Sequence, residues 1–293
     1  MAKNDYNEDP LLSASVLMKD KRLNLLLSYY KIATKKLTSE LENATDFGRS
    51  YRIRTLKSID EILKTLDSKT SDWFKKEVEE YYKTYGDYAV DNIKGDGFPV
   101  ASSFNVVDQK AIQALTDEIM TYYRDAYSGV KRSAMRMLNE AARSQVQTLL
   151  ATGRISGEDR RTISDRIAGY LKQGFTALTD RGGRKWTLEA YAEMLTRTML
   201  VKTANEGVKN RLGQAGYDLV QVSSHSASCS LCGPWEGKIL SMSARSNEYD
   251  SVDKAEANGL FHPNCRHRLL PYHQSLLEVS TVWDSETQTY IKL

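Results

Sequence analysis

Three cysteines and four histidines carry most of the chemistry this sequence could perform, and all seven fall after residue 224. Cys229 and Cys232 form a C-x-x-C pair, the spacing at which one tight turn offers two thiolates to a single tetrahedral ion. The second half is His262-Pro263-Asn264-Cys265-Arg266-His267. It repeats the two-residue gap between His262 and Cys265 and adds His267 just beyond. Thiolate and imidazole in a tetrahedral set are what zinc prefers, and a closed set without an open position is structural rather than catalytic. We therefore expect one structural zinc ion held by Cys229, Cys232, Cys265 and a histidine. His262 mirrors the first pair and is the preferred fourth ligand; His267 stays a candidate, the other packing or hydrogen-bonding nearby. Such binding contributes on the order of 10 kcal/mol or more.

Other chemistries of these residues fit less well. Reduced cysteines can be plain buried hydrophobes. A nucleic-acid deaminase wants H-x-E upstream of P-C-x-x-C, but Ser228 precedes Cys229 and Ala227 stands two residues after His225. A thioredoxin-like pair needs a βαβ setting, which a helix followed by small strands does not supply. Glu236, beside the first turn, could be imagined as a general base, yet a closed zinc site leaves no water to activate. Trp186 and Trp235 could anchor an interface, although core packing is the favoured reading.

These residues must be positioned by elements, and the prolines bound where those can lie. Pro10, Pro99, Pro234, Pro263 and Pro271 leave 11–98 and 100–233 free of the strongest helix breaker. Leu23, Leu26, Tyr30, Ala33, Leu37 and Leu41 recur at three- and four-residue steps, as do Leu56, Ile59, Leu63 and Leu66. Ser71 and Asp72 are expected to cap a third helix carrying Phe74, Val78, Tyr81 and Tyr85 inward until Gly86. Turn-forming residues from Lys94 to Ser103 mark a boundary. Helical spacing resumes at Ile112, Leu115, Ile119 and Tyr122 and extends past Gly129 to Leu149. A shorter helix to about Leu171 and a turn at Arg181-Gly182-Gly183 follow. Thr187 then opens a helix carrying Leu188, Tyr191, Ala192, Leu195 and Met199 on one face. After Gly216 the pattern changes to short extended runs, Tyr217 to Val222, Lys238 to Leu240 and His267 to Tyr272. The fold class expected is mainly α: a long-helix N-terminal body, 1–98 and 99–216, followed by a small zinc-stapled α+β module at 217–293. A core that small usually needs a staple.

Composition sets the outer limits. Lys plus Arg number 41 against 38 Asp plus Glu, a net charge of +3, too balanced to imply nucleic acid or a membrane surface. Apolar content of 41% supports a real core. No apolar run is long enough to span a bilayer, and the first residues lack a signal peptide's apolar stretch. Synthesis in a cytoplasm, without a disulfide framework, is the expectation.

A resemblance now has residues to stand on. The run Gly183-Arg184-Lys185-Trp186-Thr187-Leu188-Glu189-Ala190-Tyr191-Ala192-Glu193-Met194 with Arg197-Thr198 is similar to the helix preceding the metal module in the second family of bacteriophage minor capsid proteins, related to the Mu F-like head morphogenesis proteins. So are Ser224-His225, Cys229 to Lys238, and Gly259-Leu260-Phe261-His262-Pro263-Asn264-Cys265-Arg266-His267. The matched motifs span about 183–272. Relatives in the wider superfamily finish with Cys-Arg-Cys where this chain has Cys265-Arg266-His267, which keeps a ligand-capable residue in place. The resemblance implies a noncatalytic virion component of few copies, sited in the phage head near the portal and made in the host cytoplasm. Implied partners are the portal protein and, less directly, the major capsid or scaffolding protein, with no membrane and no small-molecule substrate. Some relatives end in a toxin or transferase domain; too few residues follow His273 here for one to be expected.

The exposed charges and the zinc turns leave two further readings. Lys131, Arg132, Arg136 and Arg143 could make a weak contact with packaged DNA, although an ordinary solvated face explains them as well. The rival to an assembly role is an HNH-like zinc-containing nuclease acting on DNA, for which Asn264 is the foothold. Such an enzyme needs a histidine free to activate water and a second metal site. No separate His-Asp or His-His pair stands outside the expected ligands.

Overall fold

Apolar residues at helical spacing become long helices. The structure, a computed structural model, describes residues 21–42, 48–95, 100, 103–152, 161–162, 178–179, 184–224, 229–272, 281–284 and 289–292. Its helices are α1 (Lys21–Glu42), α2 (Arg49–Gly95), α3 (Val106–Thr152), α4 (Leu188–Gln214) and the short α5 (Val252–Ala257). Its strands are β1 (Leu178–Thr179), β2 (Lys185–Trp186), β3 (Leu219–Val222), β4 (Ile239–Ser241), β5 (Leu269–Pro271), β6 (Thr281–Asp284) and β7 (Thr289–Lys292). The described chain is mainly helical, as expected.

One expectation about the helices needs correction. Ser71, Asp72 and Gly86 do not delimit a third helix; all three lie inside α2. Thr70, Trp73, Phe74, Glu77 and Val78 are buried in an unbroken stripe across the supposed cap. Ser or Asp in a helix interior costs only about half a kcal/mol against alanine, less than interrupting that stripe. The turn expected between Lys94 and Ser103 falls in the connection between α2 and α3, where 96–99 and 101–102 lie outside the described residues. The helix to about Leu171 also falls outside them except at 161–162, which are helical. So do Gly153, Ser156, Gly157 and the turn at 181–183, the last bracketed by antiparallel β1 and β2.

The chain divides into two compact units, Met1–Trp73 with Ile119–Glu193, and Phe74–Glu118 with Met194–Leu293. In the first, α1 buries Leu23, Leu26, Tyr30, Ala33, Leu37 and Leu41. Tyr30, Thr70 and Tyr127 close a buried ring of three hydroxyls, 2.6 Å between the phenols and 3.1 Å from each to Thr70. Each hydroxyl can donate once and accept once, so the ring satisfies itself without water. Burial, with Tyr123 and Tyr127 nearby, pushes the Tyr30 hydroxyl well up, keeping it protonated. Lys131 meets Asp60 at 2.6 Å and Arg124 meets Asp67 at 3.2 Å. Lys131 is thereby engaged, while Arg132, Arg136 and Arg143 are exposed.

The second unit positions the cysteine and histidine cluster. A Cβ on Gly86 would lie 2.6 Å from Arg211 Cγ and 3.1 Å from the Gly207 carbonyl oxygen, and one on Gly207 would press into the Tyr82 backbone. These two glycines let α2 and α4 meet backbone to backbone. Gly207→Ala is expected to lower stability by about 1–3 kcal/mol through overpacking, despite a helix-propensity gain of up to about 1 kcal/mol, read as a lower urea midpoint. At its start, α4 has the expected cap: Thr187 Oγ1 accepts from Ala190 N at 3.1 Å. Thr187→Ala should cost about 1 kcal/mol in the same measurement.

Beyond α4 the chain forms a three-stranded antiparallel sheet in the order β4-β3-β5, with Val220 opposite Leu240 on one side and Pro271 on the other. All three expected extended runs are therefore strands of one sheet. The sheet is anchored to the helices: Asn205 Oδ1 accepts from Leu269 N at 3.0 Å, and the Arg268 guanidinium lies 4.7 Å from the Tyr85 ring centre while donating to its hydroxyl. The antiparallel pair β6 and β7 was not among the expected strands.

Candidate metal centre

Two turns present the donors. In the first, Gly233 N donates to Cys229 O at 2.8 Å, and the chain tightens into a 3₁₀ turn, Gly233–Trp235. Pro234 fits the start of that turn because its fixed φ is already right and its missing N–H has no partner to lose. Trp235 is buried, as core packing predicts; Trp186 is half-buried. Gly237 N donates to Val222 O at 3.0 Å, tying the turn to β3. In the second turn Cys265 N donates to His262 O at 2.8 Å. It is bounded by Phe261 at φ +60° and Asn264 at φ +65°. A non-glycine residue in this left-handed region costs roughly 1–2 kcal/mol, and such conformations concentrate where a site over-determines the backbone. The Asn264 amide donates to Thr198 Oγ1 at 3.1 Å, so α4 holds this turn. The turns touch directly: a Cβ on Gly259 would meet the Leu231 side chain at 3.2 Å.

Folding brings together all five residues singled out in the sequence. Cys229 Sγ lies 3.0 Å from His262 Nε2, Cys232 Sγ 3.4 Å from Cys265 Sγ, and Cys265 Sγ 3.3 Å from His267 Nδ1. Two triads share Cys232: Cys229, Cys232 and His262, and Cys232, Cys265 and His267, the donors of each within 4.8 Å of one another. With metal–sulfur bonds of about 2.3 Å and metal–nitrogen bonds of about 2.0 Å, the edges of a tetrahedral set are roughly 3.5–3.8 Å. These three contacts are shorter than such edges, while no four of the donors lie within 4.8 Å of one another, so a single ion with four ligands would have to draw the two triads together. The donors fit a metal in their chemistry. Each imidazole has its second nitrogen on an oxygen acceptor, His262 Nδ1 on Pro263 O and His267 Nε2 on Glu236 Oε1, both at 2.8 Å. A donor–acceptor pair there fixes the tautomer and leaves the inward nitrogen with a lone pair.

The three thiols are electrostatically uneven. Backbone amides, Cys232's first and then Leu231's, with help from His262, lower the Cys229 thiol to about 6. Burial and the adjacent Cys265 push Cys232 well up. Burial acts upward on Cys265 too, but the contacts from His267 outweigh it, so Cys265 is the more acidic of the buried pair. His262 and His267 are both raised, their burial opposed in the one by the Pro263 carbonyl and Cys229, in the other by Cys265 and Glu236.

His225 and His273, the other two histidines of the cluster in sequence, lie outside the described residues. Sequence reasoning missed the role of Glu236 as a partner of His267, because it weighed that carboxylate only as a base. Its place directly after the 3₁₀ turn was the available signal. Thr198 was missed as an anchor for the second turn. Asn264, the foothold for a nuclease, occupies the left-handed position of that turn, a conformation asparagine tolerates better than most residues. The arrangement can hold a metal ion.

Comparison with known proteins adds the biological setting. The profile of a family described as phage minor capsid protein 2 matches residues 28–288. A curated relative described as "Structural protein" from Lactococcus phage LL-H is 26% identical over 238 residues, covering 71% of this chain and 62% of that protein. The chain thus spans less than two thirds of that relative's length. No solved structure matches.

Proposed function

Because the chain belongs to the phage minor capsid protein 2 family, we propose that it is a noncatalytic, low-copy component of the phage head, assembled with the portal vertex and stapled by one structural zinc ion. Membership and the phage structural relative place it among capsid proteins; the portal and the zinc are the proposal's own. The observation that carries it is the convergence of Cys229, Cys232, Cys265, His262 and His267 from two separate turns beside a three-stranded sheet. Zinc is favoured over other ions because a mixed thiolate and imidazole set suits it, with no redox demand and no open position. In this reading three cysteines and one histidine hold the ion, which supplies folding free energy and no chemistry. Residues 217–293 act as the stapled module, while 1–98 and 99–216 offer helical surface to the portal and, less directly, to major capsid or scaffolding protein. Arg132, Arg136 and Arg143 allow a weak contact with packaged DNA. No helix among the described residues is long and apolar enough to cross a membrane.

The test combines elemental analysis with a pull-down against the phage's own portal protein. One zinc per chain and retention on the portal are expected. Metal-free protein with an intact sheet would sink the staple, and no retention would sink the portal assignment. The competing nuclease reading is checked by plasmid nicking with magnesium or manganese. Metal-dependent cleavage lost in His262→Ala, without unfolding, would favour the enzyme.

A further inference from the structure

Five donors form two triads joined at Cys232, and a closed tetrahedral ion takes only four. Resting on the zinc reading above, we infer that the ion's histidine ligand is His267, bound through Nδ1 and oriented by Glu236 as a positioning residue, with His262 outside the coordination set against Cys229. This reverses the preference that motif spacing alone suggests. The cluster has a buried half and an open half. Cys232, Cys265 and His267 are 1%, 5% and 4% exposed, whereas Cys229 is exposed and His262 half-buried. Water can satisfy the open half but cannot reach the other. Charge is screened least in that buried half, so a cation gains most from the thiolates and imidazole placed there.

The two imidazoles also differ in what holds them. His267 Nε2 meets a carboxylate from the other turn, Glu236, at 2.8 Å. A carboxylate partner raises the ligand's basicity and fixes the ring, whereas His262 has only the carbonyl of its own neighbour Pro263. His267 N further lies 3.4 Å from Cys265 Sγ, so one segment offers its thiolate an amide and the ion an imidazole. The fourth position then falls to Cys229, which shares a turn with Cys232 and offers the thiolate zinc prefers. His262 then stays outside the set, with its Nδ1 on Pro263 O and its Nε2 3.0 Å from Cys229 Sγ.

The experiment is long-range ¹H–¹⁵N spectroscopy of the zinc-loaded full-length chain, alongside cobalt titrations of variants. His267 should be in the Nε2–H form with a metal-shifted Nδ1, and His262 should lack a metal-shifted nitrogen. Glu236→Ala should weaken metal binding by about 10–100-fold and broaden or shift the His267 resonances. Glu236→Gln, which keeps an acceptor, should recover part of that loss. His262→Ala should retain one ion with an unchanged cobalt–thiolate spectrum. A metal-shifted His262 with an ordinary His267, or Glu236→Ala leaving both affinity and spectrum intact, overturns the inference while the zinc reading stands. If the wild-type chain binds no ion, both fail together. The spectra are read on the wild-type protein, so the assignment holds even if His267→Ala does not fold.

Discussion

Stripping the ion with a chelator, or replacing Cys232 by serine, is expected to unfold the sheet β4-β3-β5 and the two turns beside it, the largest effect of any change considered. The sheet buries Leu219, Val220, Val222, Leu240, Leu269 and Leu270, a core of few side chains. Structural zinc typically supplies on the order of 10 kcal/mol or more, as much as the whole stability of an ordinary domain, about 5–15 kcal/mol. Removing it should release amide protection in β3, β4 and β5 far more than in α1, whose buried stripe owes nothing to the ion. Hydrogen exchange of the full chain, with and without chelator, reads this directly, and added zinc should restore protection in the wild type but not in Cys232→Ser. Protection in the sheet that is indifferent to chelator would mean that side-chain packing suffices and that the cluster does not hold the fold.

The second large effect is expected at Tyr82. Its ring is fully buried, and its hydroxyl donates to Asp108 Oδ1 at 2.8 Å while accepting from Asn210 Nδ2 at the same distance. Asp108 is itself buried, accepting also from Gln214 Nε2 at 3.1 Å and from the Asn105 amide at 2.9 Å. Asn105 returns the contact by accepting from Val107 N at 2.7 Å, a reciprocal cap on α3. Burial, and then the bond to Asp108, push the Tyr82 hydroxyl up, so it remains a donor throughout the ordinary pH range. Tyr82→Ala should cost about 3–5 kcal/mol, the usual range for emptying a buried aromatic site. Tyr82→Phe isolates the polar part and should cost about 1–3 kcal/mol, because a buried carboxylate loses a donor. Urea unfolding of the pair separates the two contributions. Equal losses in both variants would show that packing is not what the ring provides.

Much of the candidate site was legible in the sequence, for a chemical reason. Cysteine and histidine are scarce in this chain, and a two-residue gap between ligands needs only one turn to bring them together, so type and spacing carry the information locally. What was not legible was the order of the donors around a centre. Motif spacing favours His262, and only the path of the chain after Gly259 and the arrival of Glu236 from the other turn bury His267 and leave His262 open. The pair β6 and β7 was missed although Thr281-Val282-Trp283-Asp284 and Thr289-Tyr290-Ile291-Lys292 have the β-branched and aromatic content of strands.

By itself the amino-acid sequence determined that the chain is mainly helical and which side chains have metal-ligating chemistry. Apolar stripes such as Leu23 to Leu41, and the types of side chain near Cys229 and Cys265, act through local geometry. Tertiary structure alone decided that α2 runs unbroken through Ser71, Asp72 and Gly86, where burial of Thr70, Trp73 and Phe74 outweighs weak local stop signals. It decided equally that Gly86 and Gly207 are needed for a backbone contact between helices, since close approach between distant segments leaves no trace in the spacing of either one.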